Sequence, residues 1–161
     1  MADVYLGLGS NLGNRIEHLA RGRKAIAEKA GAILAASSIY DTAPWGPVPQ
    51  DNYLNQVLCV STTLAPRDLL AALHEIERAA GRDRRNEVRY GPRVLDLDIL
   101  MYGDRTVQED GLVIPHPRIA ERAFVLVPLA EIAPDLAIGG ETVRALLGRV
   151  DTAGVRRYDP M

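Results

Sequence analysis

The spacing of apolar residues changes several times along the chain, and each change predicts an element. Val4 to Gly9, "VYLGLG", alternates as a short strand. From about Asn14 to Lys29 the spacing becomes helical, with Leu19, Ile26 and several alanines on one side, and Gly31 ends the run. Ile33 to Tyr40 reads as a second strand. The segment "TAPWGPVPQDN" carries Pro44, Pro47 and Pro49, so it cannot join a sheet interior. Tyr53 to Thr63 alternates again as a third strand. Pro66 then opens a helix at its favoured early position, running to about Ala80 with Leu69, Leu70, Leu73 and Ile76 on one face. An arginine-rich loop leads to a strand over Val94 to Tyr102, and a shorter strand follows at Leu112 to Ile114. Beyond "PHPR" the pattern predicts a helix interrupted at Pro128, a short helix near Thr142 to Leu147, and a polar tail.

The order is β-α-β-β-α-β-β-α-α. A helix between strands, a hairpin, then another helix and strand is the split βαβ arrangement. The expectation is therefore an α+β, ferredoxin-like sandwich with a mostly antiparallel sheet flanked by helices. All 161 residues fit one domain, 1–161, with no internal repeat or linker.

Composition narrows the function classes. The chain is 47% hydrophobic with 5% aromatic residues, so Leu, Ile, Val and Ala must form most of the core. No apolar run approaches the roughly 20 residues of a membrane span, and the first residues lack the pattern of a secretory signal. A single cysteine, Cys59, allows no intrachain disulfide, and a reducing cytoplasm is expected. The net charge of −2 does not suit a molecule built to grip a polyanion. Charge is nevertheless uneven: Arg78 to Arg93 holds six arginines against Asp83 and Glu87, six minus two leaving an excess of four. Arginine presents a planar, permanently charged fork that suits phosphate oxygens.

The strand immediately downstream of these arginines adds a second kind of charge. In "GPRVLDLDILMYG", alternation sends Leu95, Leu97, Ile99 and Met101 to one face and Asp96, Asp98, Leu100 and Tyr102 to the other. The aspartates then sit about 7 Å apart on the same face. Their repulsion is roughly 2 kcal/mol at an effective dielectric near 20. Solvent can screen that cost, but a bound cation turns it into affinity. Mg²⁺ is usually held by one or two carboxylates plus substrate phosphates. With six arginines immediately upstream, metal and nucleotide are the favoured reading.

Other motifs are less decisive. "LGLGSNLGNR" is not a P-loop, because the Gly-Lys-Ser/Thr ending is missing, and its G-x-G-x-x-x-G spacing is not the dinucleotide fingerprint. A tight strand-to-helix turn is expected there. His74 and Glu77 share a helix face as surface polar residues or as part of a site. "PHPR" reads equally as a capped turn and as a phosphate contact through His116. Trp45, kept in a proline-rich loop, suggests a lid over a ligand.

Four stretches in order resemble the 6-hydroxymethyl-7,8-dihydropterin pyrophosphokinases of the folate pathway: "LGLGSNLGNR", "DNYLNQV", "GRDRRNEVRYGPRVLDLDILMYG" and "IPHPRIAERAFVLVPLAEIAPD". The resemblance covers nearly the whole chain. It implies transfer of an intact pyrophosphoryl group from ATP, the co-substrate, to the pterin hydroxymethyl oxygen, with release of AMP. It also implies two Mg²⁺ ions on Asp96 and Asp98, and phosphate contacts from Arg82, Arg84 and Arg93, with Arg89 assisting. His116 and Arg122 would meet the ATP phosphates from the other side. Ile99 would line the adenine pocket, with His74 and Glu77 near the nucleoside. Tyr53 and Phe124 would stack on the pterin, Asn55 would bond its amide edge, and Thr42, Pro44 and Trp45 would form the near wall. Tyr90 falls where the family carries an aromatic in a closing loop. Small-molecule substrates, no nucleic acid, no membrane and a monomer are the corresponding expectations.

Two rivals remain in view. Gly9-Ser10 with a later Asp-x-Asp evokes polymerase-beta-type nucleotidyltransferases, although here more than eighty residues separate the two parts. An RNA-binding sheet would need aromatics on its face, and this chain has one Phe.

Overall fold

The strands are β1 (Ala2–Ser10), β2 (Ala32–Ala36), β3 (Tyr40–Thr42), β4 (Tyr53–Thr62), β5 (Asp96–Tyr102), β6 (Val107–Glu109), β7 (Leu112–Ile114), β8 (Ala137–Ile138), β9 (Glu141–Thr142) and β10 (Val155–Arg157). The helices are α1 (Arg15–Lys29), α2 (Pro66–Ala79), α3 (Ala123–Ile132) and α4 (Val143–Leu147). These come from a computed structural model, which describes residues 1–44, 46–82 and 92–159.

The main sheet is antiparallel at every pairing. β5, β1 and β4 lie side by side; β4 then pairs with β2 along one half and with β3 along the other, and β10 extends beyond β3. Counting β2 and β3 as one interrupted strand, the order β5-β1-β4-β2/β3 is the split βαβ arrangement expected from the sequence.

Helices cover both faces. α1 and α2 bury Leu19, Ile26, Leu69, Leu73 and Ile76 against Leu6, Leu8, Leu58 and Val60 of the sheet. The 3–4 spacing of the α2 leucines puts them on one stripe, and each fully buried side chain contributes roughly 1.5–3 kcal/mol. Asn14 caps α1, its Oδ1 accepting from Glu17 N at 3.1 Å. On the other face, α3 and α4 bring Val125, Leu126, Leu129, Val143 and Leu146 onto Val57 and Leu100.

Three expectations need correction. The strand predicted over Ile33 to Tyr40 is broken, because Ser37 Oγ accepts from Val57 N at 3.0 Å and takes over a position in the ladder. Pro128 does not interrupt α3; burial of Val125, Leu126, Pro128 and Leu129 outweighs the missing amide donor. Between β1 and β5, Tyr5 pairs with Met101 but Leu6 pairs with Ile99, so Leu100 is an extra residue. That bulge reverses the alternation: Tyr102, not Met101, joins Leu95, Leu97 and Ile99 in the core beneath α1 and α2. Its hydroxyl donates to the Leu64 carbonyl. Gly7 and Gly9 lie within β1, as the alternation from Val4 to Gly9 predicts, and the expected strand-to-helix turn follows at 11–14.

Candidate active site

Where α3 stops, the described helices leave part of one face of the sheet uncovered, and the floor there is made by alternate residues of three strands. β1 contributes Gly7 and Gly9, β4 contributes Tyr53, Asn55 and Val57, and β5 contributes Asp96, Asp98 and Leu100. The register sets Gly9 opposite both Asp96 and Asn55, and Gly7 opposite Asp98. Two glycines at that period remove side chains from the middle strand and leave a cleft of about 270 Å³. Thr42, Arg82, Arg93, His116, Arg122 and Phe124 form its walls.

The acidic side is tightly bonded. Arg82 Nη1 lies 2.9 Å from Asp96 Oδ1 and 2.5 Å from Glu77 Oε2. Glu77, fully buried on α2, also accepts from the backbone N of Leu97 at 2.8 Å, between the two aspartates. Burial, then the charge of Asp96, pushes the Asp98 carboxyl up to about 8, with Arg122 and Arg82 pulling the other way. Without a cation, burial and the Asp96 charge thus favour the protonated form of Asp98.

His116 is held by its backbone N bonding the Leu100 carbonyl at 2.9 Å. Burial first, then the Arg122 charge, lowers its pKa to about 4, so the ring is neutral. Its Nδ1 accepts from Arg118 N at 3.2 Å, which puts the ring proton on Nε2 as a donor. Arg122 lies over Phe124, with its guanidinium carbon 5.5 Å from the ring centroid. At the other end, Asn55 Nδ2 donates to Thr42 Oγ1 at 2.6 Å within the protein.

The cleft thus gathers Thr42, Tyr53, Asn55, Arg82, Arg93, Asp96, Asp98, His116, Arg122 and Phe124. Glu77 stands one contact behind it, through Arg82. His74 and Pro44 are not among the lining residues, and Ile99 is buried in the core beneath α2. Trp45, Arg84, Arg89 and Tyr90 lie outside the described residues.

Sequence reasoning missed Gly7 and Gly9 as the floor, although their alternation inside a strand was a usable signal. It also missed Asn11, which is 2% exposed. Asn11 Oδ1 accepts from Arg93 N at 2.8 Å, while its Nδ2 donates to Gln50 Oε1 at 2.7 Å and to the Asp51 carbonyl at 3.0 Å. One amide thus ties the start of the arginine wall to the end of the proline-rich segment.

Asp96 and Asp98 fit a hard divalent cation. They are two carboxylates on one face, one of them pushed toward its protonated form by burial and by its neighbour's charge, and the other already holding a guanidinium. Among the described residues, no group of three or more His, Cys, Asp or Glu side chains could hold a metal by itself. A cation here would need ligands from a substrate or from water. No described helix is long and apolar enough to cross a membrane.

An antiparallel α+β sandwich with acidic and basic side chains meeting on the open face of its sheet suits a transferase of charged groups. Residues 5–134 match the family model described as 7,8-dihydro-6-hydroxymethylpterin-pyrophosphokinase (HPPK), and the chain belongs to that family. A 2-amino-4-hydroxy-6-hydroxymethyldihydropteridine pyrophosphokinase of Methylorubrum extorquens is 48% identical over 160 residues, covering 99% of this chain and all of the relative. One of Pseudomonas aeruginosa, with the same name, is 40% identical over 156 residues, covering 96% and 95%. Among solved structures, Plasmodium falciparum HPPK-DHPS superposes with a TM-score of 0.75 at 16% identity, over 92% of this chain. The chain spans 44% of that larger protein, and the likeness shows a shared fold.

Proposed function

We propose that this cleft transfers the pyrophosphoryl group of ATP to the hydroxymethyl oxygen of 6-hydroxymethyl-7,8-dihydropterin, releasing AMP, in folate biosynthesis. The observation that carries the reading is the division of one cleft into two ends. Tyr53, Phe124 and the Asn55–Thr42 pair form an aromatic and amide end, suited to a flat heterocycle with a polar edge. Asp96, Asp98, Arg82, Arg93, His116 and Arg122 form a charged end, suited to a metal-bound triphosphate.

In this reading Tyr53 and Phe124 stack on the pterin, and Asn55, oriented by Thr42, bonds its amide edge. The hydroxymethyl oxygen then faces the charged end. That oxygen forms a bond to the β-phosphorus and gives up its proton to solvent, the bond from that phosphorus to the α–β bridging oxygen breaks with its electron pair going to that oxygen, and AMP leaves. Asp96 and Asp98 would hold Mg²⁺, two ions as the resemblance implies. Bound there, Mg²⁺ supplies neutralisation of phosphate charge and a lower pKa for an attacking hydroxyl. Neutral His116 donates from Nε2 to a phosphate oxygen, and Arg82, Arg93 and Arg122 supply fixed positive charge. Positioning the two substrates supplies much of the rate, so no strong protein base is required. Arg84, Arg89 and Tyr90 would complete the wall, Trp45 and Pro44 the pterin side, and His74 the nucleoside side. Action as a monomer belongs to the same reading, and the buried free thiol of Cys59 suits a reducing cytoplasm. The chain 1–161 acts as one domain.

The test replaces the carboxylates. Asp96→Ala and Asp98→Ala should each lower kcat by roughly 100-fold or more while the proteins unfold cooperatively near the native temperature. Full Mg²⁺-dependent turnover in either variant removes the metal assignment.

A further inference from the structure

Arg82, Glu77 and Asp96 form a connected unit whose parts differ sharply in exposure. The Glu77 and Arg82 side chains are 1% and 7% exposed, whereas that of Asp96 is 36% exposed and opens on the cleft. A single nitrogen of Arg82 bridges both carboxylates. Glu77 Oε2 also receives the Leu97 amide, so the same oxygen fixes the arginine and the β5 backbone between Asp96 and Asp98. A buried carboxylate of this kind demands a cation, and Glu77 has one in Arg82. Asp96 does not need the guanidinium for burial, because water reaches it.

We infer that Arg82 is a stored counter-ion for the acidic pair: Glu77 holds its guanidinium on Asp96 until a divalent cation takes that place. A cation bound to Asp96 and the guanidinium on the same carboxylate are like charges a few ångströms apart, and they repel strongly in a half-buried site. Binding therefore moves Arg82 off Asp96 while Glu77 retains it, and its charge becomes available to the cleft. Glu77 is then a positioning residue that acts through Arg82, rather than a nucleoside contact. The inference rests on the proposed metal reading of Asp96 and Asp98.

It is tested without nucleotide or turnover, using Mn²⁺ as the probe and electron paramagnetic resonance to count free Mn²⁺. Native protein is compared with Arg82→Met, with the double variant Glu77→Gln/Arg82→Met, and with Asp96→Asn. The double variant keeps an acceptor for the Leu97 amide and removes both members of the buried Glu77–Arg82 pair together, so it serves if Arg82→Met alone does not fold. Removal of a competing cation should tighten Mn²⁺ binding about five-fold or more in both variants lacking Arg82, and Asp96→Asn should abolish it. Native-like Mn²⁺ affinity in the variants lacking Arg82, with binding still lost in Asp96→Asn, overturns the counter-ion role and leaves the metal site standing. Unchanged binding in Asp96→Asn overturns both.

Discussion

A methyl group on Gly9 would sit 2.8 Å from Asn55 Oδ1 and 3.4 Å from Tyr53 Cδ1. Asn55 cannot swing away freely, because its amide nitrogen donates to buried Thr42 at 2.6 Å. Gly9→Ala should therefore turn the Asn55 amide and raise KM for the pterin about ten-fold, roughly 1.4 kcal/mol, with a much smaller change in KM for ATP. Equal changes in both constants would indicate general loosening of the sheet instead. At this scale the sequence was readable where chemistry is written in charge. Asp96, Asp98 and the arginines announced themselves, since like charges on one strand face need a reason. Gly9 did not, because its importance is the absence of a side chain opposite Asn55, a partner 46 positions along the chain. Asn11 was hidden for a related reason: its value lies in three partners from two distant segments.

At the scale of elements, Glu131 binds α3 to the broken edge of the sheet. It accepts from Ser38 N at 3.1 Å, from Ser38 Oγ at 3.0 Å and from the Tyr40 hydroxyl at 2.6 Å. Burial alone would raise its pKa, but these donors, with Arg157 nearby, lower it. A lowered folded-state pKa means stability that is present above the ordinary glutamate range and lost as pH falls through the folded value. Glu131→Gln should cost about 1–2 kcal/mol in urea unfolding at pH 7, with the gap to the native chain closing under acid. A gap independent of pH would contradict the ionic role. The elements themselves were legible where periodicity was long: α2 could be read from Pro66 and the Leu69, Leu73, Ile76 stripe. The Ser37 break, the Leu100 bulge and the intact helix through Pro128 were not. Each depends on a contact that local spacing does not encode: a serine hydroxyl in a ladder, a register shift against β1, and burial of a proline among leucines.

For the whole molecule, the two faces of the sheet divide the work. α1 and α2 seal one face with the larger apolar cluster, while α3 and α4 cover only part of the other and leave the cleft at its end. The fold order was legible because alternating elements leave few ways to stack β1, β4 and β5 with helices on both sides. Which face would carry the site followed from the aspartates; how α3 bounds it required the tertiary packing. The central claim is that both ends of this cleft act on one reaction. The most direct measurement follows the chain with ATP, Mg²⁺ and 6-hydroxymethyl-7,8-dihydropterin by ³¹P NMR. AMP and a pterin carrying two phosphorus atoms should appear in equal amounts, and neither without Mg²⁺. Release of pyrophosphate with a nucleotide left on the acceptor, or no AMP at all from folded protein, would contradict it.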